Sequence, residues 1–513
     1  KSSPYTPNVG VQFIEPEGRV RNLLALFGGL LFVCHPIQTQ AVTYIIQRAA
    51  SFATFWYLLT LCLYAKARLS SASRPYYLCS IISASLALFT KETAVTLPFI
   101  LIVWEICFFR KFTKRTAKWI VPFFLPLLAT LVIIRITDMD KELYGSALIS
   151  SKDYLLTQFR VIVTYLRLLL IPINQNLDYD YPIVRSLFNL PVFASLILLL
   201  SILATGFILF RKYRLLSFGV FWFFLTLAPE SSIIPIKDVI FEHRLYLPMV
   251  GYCIFLPSLC YYFFPRRFLR FLPVLLIVVV TIYGISTYHR NSIWKDEIAL
   301  WNDTVSKSPN KARPYNNRGI LYLSRGKYDQ ALADFNRAVM IAPDCADAYL
   351  NRGEIYHEKG DYDKALADFT QVLKIAPGYA KAFCNRGVLY ENRGEYEKAI
   401  TEYTQAIKLD RNYVQVHFNR GNAYLNKKEF DKAIADYTRA IALTPTNAAA
   451  YNNRGFAYFL KNDYTSAWQD LTQAKTLGYQ VPPELFKILN QNAKYGSLFH
   501  RIGKGKLTYG SGN

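Results

Sequence analysis

Three ionisable side chains, Glu242, His243 and Arg244, stand together between long apolar runs and are followed by Leu245-Tyr246-Leu247-Pro248. A guanidinium can hold a phosphate through two parallel hydrogen bonds, and an imidazole or carboxylate beside it can move a proton. The plainer reading is an ion-pair cluster at a helix start. Similar groups recur at the ends of other apolar runs. His35 precedes a proline, which also suits a helix-terminal hydrogen bonder. Arg48 is expected about two turns inside an apolar helix, where it should not sit unpaired in lipid. Lys91 and Glu92 suit either a local salt bridge or a site. Asp178 and Asp180 share one face if their loop is extended, so they could bind a divalent cation or act as acid and base; solvated loop acids are the plainer reading. These nine residues are the candidate site, with side chains suited to a phosphate group and to proton transfer. The eight cysteines show no metal-ligand spacing, and no metal centre is expected from them.

A second set of residues repeats. The triplet Asn-Arg-Gly begins at Asn317, Asn351, Asn385, Asn419 and Asn453, each 34 residues after the last. That period is the mark of a tetratricopeptide (TPR) array, one helix pair per repeat. The repeats run 312–345, 346–379, 380–413, 414–447 and 448–481. Gly319, Gly353, Gly387, Gly421 and Gly455 permit close helix approach, and an aromatic recurs from Tyr328 to Tyr464. An asparagine amide has one donor group and one acceptor, like a peptide bond. The five asparagines could therefore grip an extended polypeptide in the groove, or bond neighbouring helices to each other.

What must position the first set is apolar. Most of the 52% hydrophobic content lies before residue 290. Candidate spans are 21–34, 42–65, 75–90, 93–109, 118–136, 188–210, 215–228, 245–264 and 269–288. The net charge of +23 lies largely in short loops between them, which fits the positive-inside rule better than nucleic-acid binding. Arg19/Arg21, Lys66/Arg68/Arg74, Arg110–Lys118, Arg211/Lys212/Arg214 and Arg266/Arg267/Arg270 all fall on the cytoplasmic side if 152–171 lies at the outer interface instead of spanning. The candidate site then gathers on the outer face. The expected layout is all-α: a cytoplasmic-side segment 1–20, a polytopic membrane helix bundle 21–290, a linker helix 291–311, the TPR superhelix 312–481, a capping helix 482–496 and a flexible tail 497–513.

The motifs His35-Pro36-Ile37-Gln38-Thr39, Lys91-Glu92-Thr93, Tyr165-Leu166-Arg167, Ala228-Pro229-Glu230-Ser231 and Glu242-His243-Arg244-Leu245-Tyr246-Leu247-Pro248, in this order before a TPR tail, resemble the transmembrane-and-TPR protein O-mannosyltransferases. The resemblance implies a GT-C-type membrane fold. It implies an inverting transfer of a sugar, commonly mannose, from a polyprenyl or dolichyl phosphate to Ser or Thr of a protein outside the cytoplasm. It also implies a catalytic acidic pair in the first outer loop; no such loop stands before Val20, so the catalytic base is expected upstream of Lys1. The repeated asparagines resemble the ladder in the TPR domain of the protein O-GlcNAc transferase, which implies a polypeptide held with little sequence preference. The expected partners are membrane lipid, the lipid-linked sugar and an extended polypeptide acceptor, in a periplasm or an endoplasmic reticulum lumen. The alternatives are a non-catalytic, membrane-anchored TPR scaffold and a transporter of lipid-linked sugars.

Overall fold

The computed structural model describes residues 18–43, 48–70, 73–109, 113–136, 149–232, 234–236, 238–265, 267 and 271–490. The segment 1–17, most of the loop 137–153 and the tail from 491 lie outside them. The chain is all-helical, with no strand among the described residues, so the expected fold class of helices ending in a TPR-like superhelix is borne out. It divides into two units, Lys1–Asn310 and Lys311–Asn513.

The first unit contains α1 (Gly18–Cys34), α2 (Thr39–Thr43), α3 (Arg48–Leu69), α4 (Ser73–Thr90), α5 (Leu97–Phe108), α6 (Lys114–Ile120) and α7 (Phe124–Ile136). These are followed by α8 (Ser151–Leu170), α9 (Leu190–Leu209), α10 (Arg214–Leu227), α11 (Met249–Phe263), α12 (Leu272–Ile293) and α13 (Glu297–Lys307). Short 3-10 helices at Pro36–Gln38, Glu92–Thr96 and Glu242–Leu245 precede α2, α5 and α11. By length and composition α9 and α12 can each cross a membrane, and α1 with the segment after it forms a third candidate bent by 48°. Phe188, Leu190, Phe207, Ile208, Ile277 and Ile285 are exposed on these helices or beside them, an apolar surface suited to lipid.

Two cores share α10. Phe223 and Leu227 join α1, α8, α11 and α12 around Phe27, Leu31, Tyr165 and Met249. Phe218 and Trp222 join α3, α4 and α5 around Tyr57, Tyr64 and Leu101. Glycines let the helices close up. A Cβ on Gly219 would lie 2.8 Å from the Gly251 carbonyl oxygen, and one on Gly251 would lie 2.5 Å from that of Gly219. Small residues at such crossings let dispersion and backbone contacts replace the hydrophobic drive that lipid removes. One ion pair is enclosed here: Arg68 binds Glu105 in bidentate fashion at 2.6 and 3.0 Å, and Tyr64 donates to the same carboxylate at 2.7 Å.

The second unit is five helix pairs: α14 (Ala312–Ser324) with α15 (Tyr328–Ile341), α16 (Ala346–Glu358) with α17 (Tyr362–Ile375), α18 (Ala380–Asn392) with α19 (Tyr396–Leu409), α20 (Val414–Asn426) with α21 (Phe430–Leu443), and α22 (Ala448–Leu460) with α23 (Tyr464–Thr476). Residues 483–490 are helical after them. Each Asn-Arg-Gly triplet is spent on this stack. A Cβ on Gly319, Gly353, Gly387 or Gly421 would meet the ring of Phe335, Phe369, Tyr403 or Tyr437 at 2.5–2.7 Å. Arg318, Arg352, Arg420 and Arg454 clasp Asp334, Asp368, Asp436 and Asp470, sixteen residues on, through paired bonds of 2.6–2.8 Å. Arg386 reaches Glu402 through a single nitrogen, 2.9 Å from each carboxylate oxygen. The other guanidinium nitrogen reaches back into the preceding repeat, from Arg352 to Asn336, Arg420 to Thr404 and Arg454 to Thr438. One arginine thus ties three helices, and each repeat lends its neighbour the partner that a lone pair would lack.

Candidate functional site

The segment 229–248 enters the first unit between α10 and α11 and is held by tyrosines from α8. Tyr154 and Tyr165 lie three turns apart on the buried face of α8. The Tyr165 hydroxyl donates to the Phe241 carbonyl at 2.9 Å and accepts from the Phe241 N–H at 3.0 Å. Tyr154 donates to the Glu230 carbonyl at 2.7 Å. Phe241 is thereby set as the extended residue that starts the 3-10 turn Glu242–Leu245, and the three ionisable side chains of that turn diverge into different surroundings.

Arg244 is 4% exposed. Its guanidinium donates to the carbonyls of Asp238 at 2.7 Å, Val239 at 3.1 Å and Glu230 at 3.5 Å, and to the Tyr154 hydroxyl at 3.5 Å. It shapes the 230–239 loop from within.

Glu242 is buried on the other side. Its carboxylate accepts from the Asn176 N–H at 2.7 Å, the Tyr179 hydroxyl at 2.6 Å and the Gln175 amide at 3.2 Å. Asn174, at φ 55°, turns the chain so that these donors follow. Burial pushes the Glu242 carboxyl above its ordinary range, against the opposing pull of Arg290 and these donors. Burial and the Glu242 charge raise the Tyr179 phenol well above its ordinary value. The same loop is tied to the end of α13: Ser308 Oγ donates to the Asp178 carbonyl at 2.7 Å and accepts from the Asp180 N–H at 2.9 Å, while Lys307 donates to the Gln175 carbonyl at 2.7 Å. Asp303 bridges Arg290 and Lys307.

His243 has the least committed side chain of the three. Its N–H donates to Gln40 Oε1 at 3.0 Å, but its buried Nδ1 has no hydrogen-bond partner among the described residues. Burial, then the charges of Lys91 and Arg244, hold its imidazole down to about 2, so it is neutral. Gln38 Oε1, Thr39 Oγ1 and Ser231 Oγ are likewise buried without a partner, and the segment Pro36–Thr43 packs on the Glu242–Leu245 turn. Buried polar atoms in this condition cost free energy unless something satisfies them.

The remaining candidates meet one or the other of their sequence readings, or neither. Lys91 pairs with Glu230 at 2.7 Å, while its neighbour Glu92 is exposed; the local salt bridge is not formed. His35 is a helix-terminal bonder: its Nδ1 accepts from the Ile37 N–H at 3.1 Å, so its Nε2 donates to the Leu169 carbonyl at 3.0 Å. Arg48 is the first described residue of α3; it is exposed and donates to the Val42 carbonyl at 3.3 Å. Asp178 is buried and Asp180 exposed, so the two carboxylates do not share a face. Among the described residues no group of three or more His, Cys, Asp or Glu is arranged around a metal position. Glu230, Gln38, Thr39 and Tyr154 were not singled out as site residues. The signal for Tyr154 and Tyr165 was their spacing of three turns beside Gln158.

In the second unit the asparagines bond between repeats. Asn351 donates to Asn316 at 3.0 Å, Asn385 to Glu354 at 3.0 Å and Asn453 to Asn422 at 2.9 Å. Asn419 uses both ends, donating to Cys384 and accepting from Gln415. A cavity of about 550 Å³ lies among the first three repeats, lined by Leu323, Tyr328, Glu354, His357, Glu358, Phe369, Asn385 and Val388.

Fold and site together define a class: an all-helical membrane protein with a TPR superhelix and a buried polar cluster among its apolar helices. Comparison gives the class its relatives. Residues 316–380 and 369–401 match tetratricopeptide repeat families, and residues 392–428 and 421–462 match the TPR repeat family. The chain is 25% identical over 373 residues to the protein O-mannosyl-transferase Tmtc3 of Drosophila melanogaster, covering 61% of this chain and 40% of that protein. It is 25% identical over 311 residues to the protein O-mannosyl-transferase F38B6.6 of Caenorhabditis elegans, covering 59% and 44%. Against the human protein O-mannosyl-transferase TMTC3 it is 24% identical over 354 residues, covering 61% and 39%. The chain is thus a relative of the TPR-bearing protein O-mannosyltransferases and spans about two fifths of the length of those it matches. Among solved structures, the crystal structure of YrrB, a TPR protein with an unusual peptide-binding site, covers 38% of this chain and 97% of its own at 23% identity, with a TM-score of 0.32.

Proposed function

We propose that the chain serves glycosyl transfer from a polyprenyl or dolichyl phosphate sugar to Ser or Thr hydroxyls of a polypeptide held by the TPR array outside the cytoplasm. Mannose is the sugar named in its relatives. The observation that carries this reading is the cluster of Lys91, Glu230, His243 and Arg244, with His243 Nδ1, Gln38 Oε1 and Thr39 Oγ1 buried beside it without a partner among the described residues. In such a transfer the acceptor hydroxyl gives its proton to a general base, its oxygen attacks the anomeric carbon, and the bond to phosphate breaks. The phosphate leaves with the electron pair, so cationic groups in a poorly solvated site stabilise the charge that develops. Lys91 supplies that charge, and Arg244 holds the loop that presents its partner Glu230.

A second reading has its own support. Glu242, Arg244 and His35 each hold neighbouring backbone segments in place, a structural role that a non-catalytic, membrane-anchored TPR scaffold also needs. The deciding experiment compares cells with and without the protein by mass spectrometry of extracytoplasmic proteins, in three strains: wild type, deletion, and deletion complemented with Lys91→Met. Transfer predicts Ser- or Thr-linked hexose that is lost on deletion and not restored by Lys91→Met. An unchanged hexose inventory on deletion would establish the scaffold instead.

A further inference from the structure

We infer that the first three repeats hold a basic side chain of an extended polypeptide, seated in the cavity between Glu354 and Glu358. The inference rests on reading the array as a polypeptide holder and adds a sequence preference to it.

Two independent observations meet here. The first is how much of each asparagine is already spent. Asn419 and Asn453 use both ends of their amides inside the stack, Asn453 accepting from Asn452 while donating to Asn422. Asn351 and Asn385 spend only their NH2 groups, and Asn317 spends only its carbonyl oxygen, on Asn316. On α14, α16 and α18 one end of the amide thus has no partner among the described residues, and a guest backbone N–H or C=O can pair with it.

The second observation is the cavity itself, which lies at those same three helices. Its polar wall is acidic. Glu354 Oε1 takes Lys381 at 2.7 Å and Asn385 at 3.0 Å, while Oε2 accepts no bond among the described residues. Glu358 is exposed, and its nearest partner is His357 Nδ1 at 4.0 Å. His357 Nε2 lies 3.0 Å from the Asn392 amide nitrogen. The nearby Lys359 is turned to Asp329 at 2.7 Å. Lys381 thus offsets one of the two carboxylates, and the wall keeps a net negative charge. The remaining lining, Leu323, Tyr328, Phe369 and Val388, is apolar and suits the methylene stem of a lysine or arginine. An acidic guest residue would meet like charge here, and an apolar one would bury the carboxylates without a partner.

The test uses the full chain in lipid nanodiscs, without any sugar donor. Fluorescent peptides with one Ser/Thr/Gly/Ala background carry a central lysine, norleucine or glutamate, and binding is read by anisotropy. The lysine peptide should bind about fivefold to tenfold tighter than norleucine, the scale of a partly enclosed ion pair, and glutamate should bind weakest. Glu354→Gln with Glu358→Gln should erase the preference while circular dichroism shows an unchanged array melt. Equal binding of lysine and norleucine overturns the inference and leaves the holder reading intact; no binding of any peptide overturns both. Retention of the lysine preference in the double variant also overturns it, because the selecting group then lies elsewhere.

Discussion

At the scale of the residue, the turn Glu242–Leu245 separates three neighbours into three roles: Arg244 braces a loop, Glu242 gathers a second loop, and His243 keeps a ring nitrogen unspent. The histidine leaves a measurable trace. Its imidazole titrates at about 2 when folded and near its ordinary 6.5 when unfolded. Between those values the unfolded chain binds a proton that the folded chain does not, so stability falls as pH drops below the unfolded value, by up to about 1.4 kcal/mol per pH unit. Urea unfolding of the first unit, followed in the full chain in detergent at about pH 7.5 and about pH 5.5, should show a steep loss for wild type and a shallower one for His243→Gln. Identical slopes would mean that the ring is solvated and free to charge. Residue types at this site were legible in the sequence, since His35, Lys91, Glu242, His243 and Arg244 all sit at ends of apolar runs. Their pairings were not, because Lys91 finds Glu230 and Tyr165 finds Phe241 across long stretches of chain that only the packed helices bring together.

At the scale of the element, the 34-residue period carried more than the position of the helices. It also foretold the close approach at the glycines, and the structure supplies what they approach sixteen residues later in the same repeat: an aromatic ring in the first four repeats and Leu471 in the fifth. A hydrogen-bond partner has no period of its own, so the sequence could not say whether each asparagine faced a guest or a neighbour. The glycine contact makes a sharp expectation. In Gly387→Ala the new methyl would lie 2.5 Å from the Tyr403 ring, a ring already fixed by its hydroxyl bond to Glu391 at 2.7 Å. Overpacking of this kind costs about 1–3 kcal/mol, and the array should melt earlier by circular dichroism. Adding Tyr403→Leu should recover part of the loss by making room, even though it removes the bond to Glu391. A double variant no more stable than Gly387→Ala would show that the ring is not what the glycine accommodates. The membrane helices were harder to read at this scale. The span expected at 42–65 begins at Arg48, and that expected at 93–109 begins with a 3-10 turn at Glu92–Thr96. In the second, Thr93 and Thr96 fall in that turn, where hydropathy alone shows no stop.

At the scale of the whole molecule, function depends on which side of a membrane each unit faces, and the charge pattern makes a definite commitment. By the positive-inside rule the basic clusters near Lys66, Lys212 and Arg267 are expected on the cytoplasmic side, and with ten apolar stretches that expectation puts the TPR unit outside only if α8 does not cross. The helix itself supplies a physical reason for that. Its buried face carries Tyr154, Thr157, Gln158 and Tyr165, all engaged with the protein. Arg160 stacks over Tyr181 at 5.5 Å, and Arg167 donates to the Ile173 carbonyl at 3.1 Å. A helix this polar on its inner face and this basic on its outer one suits an interface better than a hydrocarbon core. Cysteine labelling puts the point to a test. Gly378 and Lys212 are both exposed, and a Cβ on Gly378 meets nothing within 4 Å. In a Cys345→Ser background, intact cells or sealed right-side-out vesicles treated with a membrane-impermeant maleimide should label Gly378→Cys and leave Lys212→Cys untouched until the membrane is opened. The reverse pattern would place the array in the cytoplasm, away from any acceptor of an outer-face transfer. Labelling of both from outside would put an odd number of crossings between α9 and the array out of reach, and α8 would have to be counted again as a span.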